Sequence, residues 1–343
     1  MSGGKTSPLV SAIIPHYGGE SILQECLDSL NNTDYTQLEI IVVDNKSMDN
    51  SIKIVEDRYP HVKLIKSEYN RGFSGGCNFG AQYANGEYLL ILNNDTIHEK
   101  DWITHLIERI KSDKNISAVQ PKIMNYKKRD YFDYAGGSGG FMDKYCFPFA
   151  RGRVFNTVEQ DKGQYDDPCP IFWASGTAFL TSRKIFKHLS GFDETIFAHM
   201  EEIDYHWKCQ LLGYEVWVEP QSVVYHHGAV TLPASSPYKT YLNYRNSLIL
   251  LLTNYTGAVS FKLFFPRILM EFLSFTKELI FFRWNHALAI LRAWLWTFFH
   301  PRFVYQRRQN IIKTNQIENI YKKSIALRYY FRGKKTFTEL IKS

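Results

Sequence analysis

The sequence is short of the features that would give a quick answer. Its five cysteines, Cys26, Cys77, Cys146, Cys169 and Cys209, are odd in number, widely scattered and form no C-x-x-C pair. That excludes a disulfide framework and a cysteine zinc site, and makes a reducing compartment the natural expectation. No uninterrupted apolar run reaches the ~18 residues of a spanning helix, and Met1–Pro8 is polar and glycine/serine-rich, without the apolar core of a signal peptide. There is no Gly-Lys-Ser/Thr ending of a P-loop and no G-x-G-x-x-G after a strand.

Charge is unevenly spread. Residues 233–343 hold 18 Lys/Arg against 4 Asp/Glu, and residues 1–232 hold 23 against 30. An acidic first part and a basic, aromatic-rich second part imply an anionic partner for the second. Within Phe261–Phe303 the apolar sequence is broken by Lys262, Arg267, Glu271, Lys277, Glu278, Arg283 and Arg292. Aromatic and leucine faces interspersed with cations suit helices lying in an anionic membrane interface. Packing on the core or on a second subunit is the other reading, and oligomerisation stays open. Nucleic acid is not expected, because the basic residues are mixed with large apolar ones. The basic tail, Gln306–Ser343, is expected to touch anionic lipid. These features divide the chain into residues 1–232 and a helical region, 233–343.

The first part alternates strand and helix patterns. Leu9–Ile14, Leu38–Val43, Val62–Ile65 and Tyr88–Leu92 read as buried strands, and Glu20–Leu30 and Ser51–Tyr59 as helices. Such alternation gives an α/β fold with a mostly parallel sheet and flanking helices, whose ligands sit past the carboxyl ends of the strands. At those ends stand Asp44 and the run Asn93-Asn94-Asp95-Thr96. Asp44 suits a ribose hydroxyl or base imide, or an Asx-turn. Asp95 suits a divalent cation on phosphate oxygens, or a turn before the helix Trp102–Ile110. The glycines in Asn70–Gly80 read as a loop before a helix, open to an anion.

Gln120–Asp167 reads as irregular and aromatic-rich, and a loop of that length usually belongs to a binding site. Trp173–Thr177 offers small polar residues for close approach. Further on, a helix starting near His199 would put Glu201 and Asp204 on one face, and Glu202 and His206 on a neighbouring one. Three carboxylates in four residues complement a helix dipole, or perturb one another as active-site acids do. The His226-His227 pair is either a metal ligand with a neighbour or structural.

The segments V-S-A-I-I-P-H-Y, I-I-V-V-D-N-K-S-M-D-N-S, N-R-G-F-S-G-G-C-N, L-L-I-L-N-N-D, F-A-H-M-E-E-I-D-Y and V-V-Y-H-H-G follow one another in order. Over roughly residues 9–250 the chain thereby resembles the family 2 inverting glycosyltransferases of the GT-A fold, particularly the rhamnosyltransferase-like members. The resemblance implies a Rossmann-like GT-A domain moving a sugar from a nucleotide-diphosphate donor, dTDP-rhamnose-like or a UDP-sugar. The acceptor would be a hydroxyl of a glycan or lipid-linked molecule in cell-surface polysaccharide synthesis, on the cytoplasmic face of the membrane. It also implies a nucleotide site of Pro15, His16, Tyr17, Asp44, Asn45, Arg71, Gly75, Asn78, Asn93 and Asn94. Mn²⁺ or Mg²⁺ would be held by Asp95 and His226, and Glu202 would be the catalytic base, with Glu201 or Asp204 as substitutes. Two departures stand out: Asn93 occupies the first acid position of the family's D-x-D motif, and Glu202 is one methylene longer than the usual Asp. A binding protein with a decayed site and a metal-dependent nucleotidyltransferase are the alternatives.

Overall fold

The computed structural model describes residues 7–228, 236–311, 317 and 319–342. The first elements are β1 Val10–His16, α1 Glu20–Asn31, β2 Leu38–Asp44, α2 Ser51–Arg58, β3 Lys63–Lys66, α3 Gly72–Gln82, β4 Tyr88–Leu92, β5 Thr96–His98 and α4 Trp102–Ser112. Strand β6, Ile116–Asn125, leads into short strands β7 Gly140–Asp143, β8 Pro148–Ala150, β9 Arg153–Val154, β10 Thr157–Val158 and β11 Cys169–Ile171. Then come β12 Ala178–Ser182, α5 Arg183–His188, a 3-10 turn at Glu194–Ile196, α6 Glu201–Leu211 and β13 Glu215–His226. The last part is α7 Pro237–Asn254, α8 Gly257–Ile280, α9 Trp284–Phe299, α10 Pro301–Gln309, β14 Ile320–Tyr321, α11 Ile325–Phe331 and α12 Phe337–Ile341.

The main sheet runs β11-β13-β6-β12-β4-β1-β2-β3, with β5 paired to β13. Strands β3, β2, β1 and β4 are parallel, β12 is antiparallel between β4 and β6, and β6 and β13 are parallel. Alternation along β1 explains the layering: Val10, Ala12 and Ile14 point to a core shared with α1, α2 and α4. Ile13 points to the other face, shared with Cys77 of α3, Phe186 of α5 and Tyr205 of α6. A strand covered on both faces must be apolar at every position, which is why these runs do not alternate in sequence. The mixed α/β class is as expected.

Two local readings are corrected. The glycine-rich segment is not a loop: it is the body of α3. A Cβ at Gly80 would lie 2.6 Å from Ile13 Cγ2 and 2.8 Å from Val43 Cγ2, so glycine lets this helix sit directly on β1 and β2. The 120–167 stretch is not irregular throughout. It extends β6 and builds a second sheet, β10-β9-β8-β7-β14, in which β14 from the tail pairs parallel with β7. The tail is also anchored, with Ile325, Tyr329 and Leu340 buried against Phe149 and Val154. A third core joins Phe172, Ile203 and Trp207 to Leu250, Leu251 and Leu263, so residues on both sides of position 232 share it. Among the described residues no helix is long and apolar enough to cross a membrane.

Candidate active site

The carboxyl ends of β1, β2 and β4, the start of β12 and the head of α6 open into one cavity of about 740 Å³. On its sheet side are Pro15, His16, Tyr17, Asn45, Asn93, Asn94 and Asp95. His16 is buried, and both ring nitrogens are engaged: Asn94 Nδ2 donates to Nδ1 at 2.8 Å, and Nε2 lies 2.8 Å from Ser51 Oγ. Burial lowers its pKa to about 4 despite Asp49 and Asp44, so it is a neutral bridge from the end of β1 to the start of α2 and to the loop after β4. Tyr17 is half exposed at the mouth. Asn45 donates to Gly72 O at 3.1 Å. Asp44, one residue behind it, is buried and accepts from Ser47 N at 2.8 Å.

The cation pair expected from sequence is brought together. β5 and β13 pair through Thr96 and His226, setting Asp95 beside the imidazole. Asp95 Oδ1 lies 3.2 Å from His226 Nε2, off the line of any hydrogen bond, so this buried oxygen has no donor. On the other side, His226 Nδ1 is 2.9 Å from Asp133 Oδ1. Burial would push the imidazole pKa down, but Asp95 and Asp133 outweigh it and raise it to about 10. The site therefore favours positive charge. Among the described residues no three His, Cys, Asp or Glu side chains converge as a metal site, so Asp95 and a deprotonated His226 could hold a divalent cation only together with oxygens supplied by a ligand. Asp133 went unnoticed in the sequence because it lies in the stretch read as irregular.

The carboxylate cluster is split. Glu201 and Glu202 line the cavity, and each has a buried Oε2 without a hydrogen-bond partner. Burial pushes Glu202 up to about 7, against backbone N–H groups including its own, Ile203's and Gly176's. Burial and the neighbouring charge of Glu202 push Glu201 well above the usual carboxylate range. Asp204 lies outside the cavity lining: Arg307 Nη2 and Lys208 Nζ each lie 2.6 Å from its carboxylate, and Asn254 Nδ2 donates at 2.9 Å. Burial alone would raise its pKa, but Arg307 and Lys208 hold it far below the ordinary range. Sharing a helical stripe with Glu201 did not bring Asp204 to the cavity, because α10 supplies a cation on its other side.

Asp44, Arg71, Gly75 and Asn78, expected at the nucleotide, also lie outside the lining. Arg71 donates to Ser67 Oγ and lies over the rings of Tyr69 and Phe79. A Cβ on Gly75 would sit 2.8 Å from Arg71 Cβ, and Asn78 clamps Phe192 through both its N–H and its carbonyl. The backbone before α6 is strained: Phe197, His199 and Met200 all have positive φ, and Ala198 N donates to Ile196 O at 2.8 Å in a γ-turn. Buried Asn246 of α7 holds it, its amide donating to Ile196, Ala198 and His199 carbonyls at 3.2, 3.0 and 2.8 Å. The far side of the cavity is aromatic and basic, with Tyr134, Phe147, Phe155, Trp173, Arg153 and Lys239. Trp173 belongs to the small-residue stretch singled out in sequence, and Tyr134, Phe147, Arg153 and Phe155 to the aromatic-rich 120–167 stretch expected to serve a binding site; Lys239 carries no local signal.

A match to the family model described as Glycosyl transferase family 2 covers residues 11–190. The chain is 26% identical over 222 residues, 62% of its length, to the poly-beta-1,6-N-acetyl-D-glucosamine synthase of Staphylococcus epidermidis. The match spans less than half the length of the curated relatives, 48% for that synthase and 12% for the chondroitin synthase of Pasteurella multocida. Two solved structures share the fold. GalNAc-T7 with UDP, GalNAc and Mn²⁺ aligns at TM-score 0.57 and 19% identity, covering 72% of this chain and 48% of that one. The mannosyltransferase PcManGT of Pyrobaculum calidifontis with GDP-Man and Mn²⁺ aligns at 0.53 and 15%, covering 87% and 89%. With the family model spanning more than half of its 343 residues, a GT-A fold and a cavity at the strand ends, the chain belongs to Glycosyl transferase family 2.

Proposed function

We propose that this chain transfers a sugar, with inversion, from a nucleotide-diphosphate donor to a hydroxyl of a glycan or lipid-linked acceptor in cell-surface polysaccharide synthesis. The observation that carries the reading is the meeting, in one cavity, of the Asp95–His226 pair and the Glu201–Glu202 pair. The synthase relative named above, and the UDP and GDP-Man in the two structures, support a nucleotide-sugar donor. The proposed donor is a UDP-sugar or a dTDP-rhamnose-like sugar.

Tyr17, Pro15 and Asn45 form the donor side, with Asn93 and Asn94 next to the diphosphate. Asp95 and His226 would hold Mn²⁺ or Mg²⁺, which when bound supplies positive charge for the departing diphosphate. Asn93, neutral where an acid is usual, leaves that task to Asp95 and His226. Glu202 is the base. A carboxylate with a pKa near 7 is half available at neutral pH and basic enough to draw the proton from an acceptor hydroxyl. Glu201 beside it keeps its proton and orients the acceptor. The aromatic far side, with Lys239 and Arg153, is the acceptor's place. Residues 1–232 thus carry the donor chemistry, and α7 closes the site from the other part of the chain.

A screen of nucleotide sugars with Mn²⁺ tests the reading. Release of nucleoside diphosphate, by slow hydrolysis or by transfer, is the expected result. Pyrophosphate as the product would make the protein a nucleotidyltransferase. Tight donor binding without turnover of any donor would make it a binding protein.

A further inference from the structure

Helices α8 and α9 carry apolar side chains on the side turned away from the protein. On α9 the inward side is Ala287, Ala289, Ile290 and Ala293, all buried. Trp284, Leu288, Leu291, Leu295 and Phe298 recur every three or four residues on the outward side, and all are exposed. Phe261, Phe265, Leu269 and Phe272 do the same on α8, and at the turn Ile280, Phe281 and Phe282 are 70%, 63% and 77% exposed. A contiguous apolar surface of this kind marks an interaction site.

Charge says what covers it. Lys262, Lys277, Arg283 and Arg292 are exposed on the same hairpin, and Arg302 is exposed on the first turn of α10 just after it. Neither acid of the hairpin is: Glu271 is buried against Arg267 and Trp294, and Glu278 is half-buried beside Lys277 and Arg283. A protein interface depletes lysine at its core, whereas the headgroup zone of a bilayer takes aromatic rings and cations together. Among the described residues no helix can span a bilayer, so the hairpin would lie on one.

We propose that the outward face of the α8–α9 hairpin seats the protein on an anionic lipid bilayer. The Ile280–Trp284 turn embeds, and the five cations meet lipid phosphates. The inner side of α8 reaches the cavity through Arg267, which donates to Ser247 Oγ at 2.7 Å. A lipid-linked acceptor would then approach from the surface on which the enzyme sits. That last consequence rests on the transfer reading; the seating itself does not.

Flotation of the full chain with phosphatidylglycerol/phosphatidylcholine vesicles tests it. The chain should float with these vesicles, less at high salt because exposed charge attraction is screened, and hardly at all with phosphatidylcholine alone. Replacing Phe281 and Phe282 by Ser should lower vesicle affinity at least about tenfold, with thermal stability unchanged. No flotation, or equal flotation of a folded F281S/F282S chain, overturns the proposal. A lipid-free dimer in sedimentation, lost in that variant, together with no flotation, would assign the face to a second copy. Flotation without any donor turnover would leave the seating intact and sink only the transfer reading.

Discussion

Asp133 shows how much one side chain adds to a site. By binding His226 Nδ1 it holds Nε2 beside Asp95 and would make the ring a better ligand for the proposed cation. Removing its charge while keeping its size, Asp133→Asn, should weaken Mn²⁺ binding about 10–100-fold. Calorimetry with a nucleoside diphosphate present measures this, and nucleotide affinity in chelator should not change. Unaltered Mn²⁺ affinity would take Asp133 out of the centre. Asp95 and His226 were legible in the sequence because each ends an apolar strand. Asp133 was not: it is 93 positions from His226, and the two meet only after β6 and β13 lie side by side.

At the scale of elements, the segment between the 3-10 turn and α6 is the least relaxed part of the site. Three non-glycine residues with positive φ within 197–200 cost on the order of 1 kcal/mol each. Asn246 holds them from α7 by three hydrogen bonds. Asn246→Ala leaves those carbonyls short of donors at a cost of about 1–3 kcal/mol, so Tm should drop by several degrees. The catalytic rate constant should fall further than donor affinity, because Glu201 and Glu202 follow this turn directly while the nucleotide side is built elsewhere. A variant that lost donor affinity and kept its rate would contradict this link. Nothing local in F-A-H-M announces the strain, since the backbone is set by a helix some fifty residues away. The misread of α3 has a similar source: its glycines are explained by Ile13 and Val43 beneath the helix, which no pattern within Asn70–Gly80 reveals.

For the whole molecule, the sequence conveyed the α/β class through unbroken apolar strands, and the charge split through simple counting. It could not convey that the tail would complete the second sheet as β14, pairing with β7 across more than half the chain. Nor did it separate Glu202 from Asp204, two positions apart: Lys208 at i+4 was visible beside Asp204, but Arg307, its second cation, comes from α10 about a hundred positions on. That separation decides the chemistry, and one comparison tests it: donor turnover by the wild-type chain and by Glu202→Gln between pH 5 and 9. Wild-type turnover should rise with pH through about 7, because burial raises the Glu202 pKa and the base is present only once its proton is lost. Glu202→Gln should turn over about 10²–10⁴-fold more slowly with no such rise, while binding nucleoside diphosphate as before. An unimpaired Glu202→Gln enzyme, or one that keeps the wild-type pH profile, would contradict the assignment of the base.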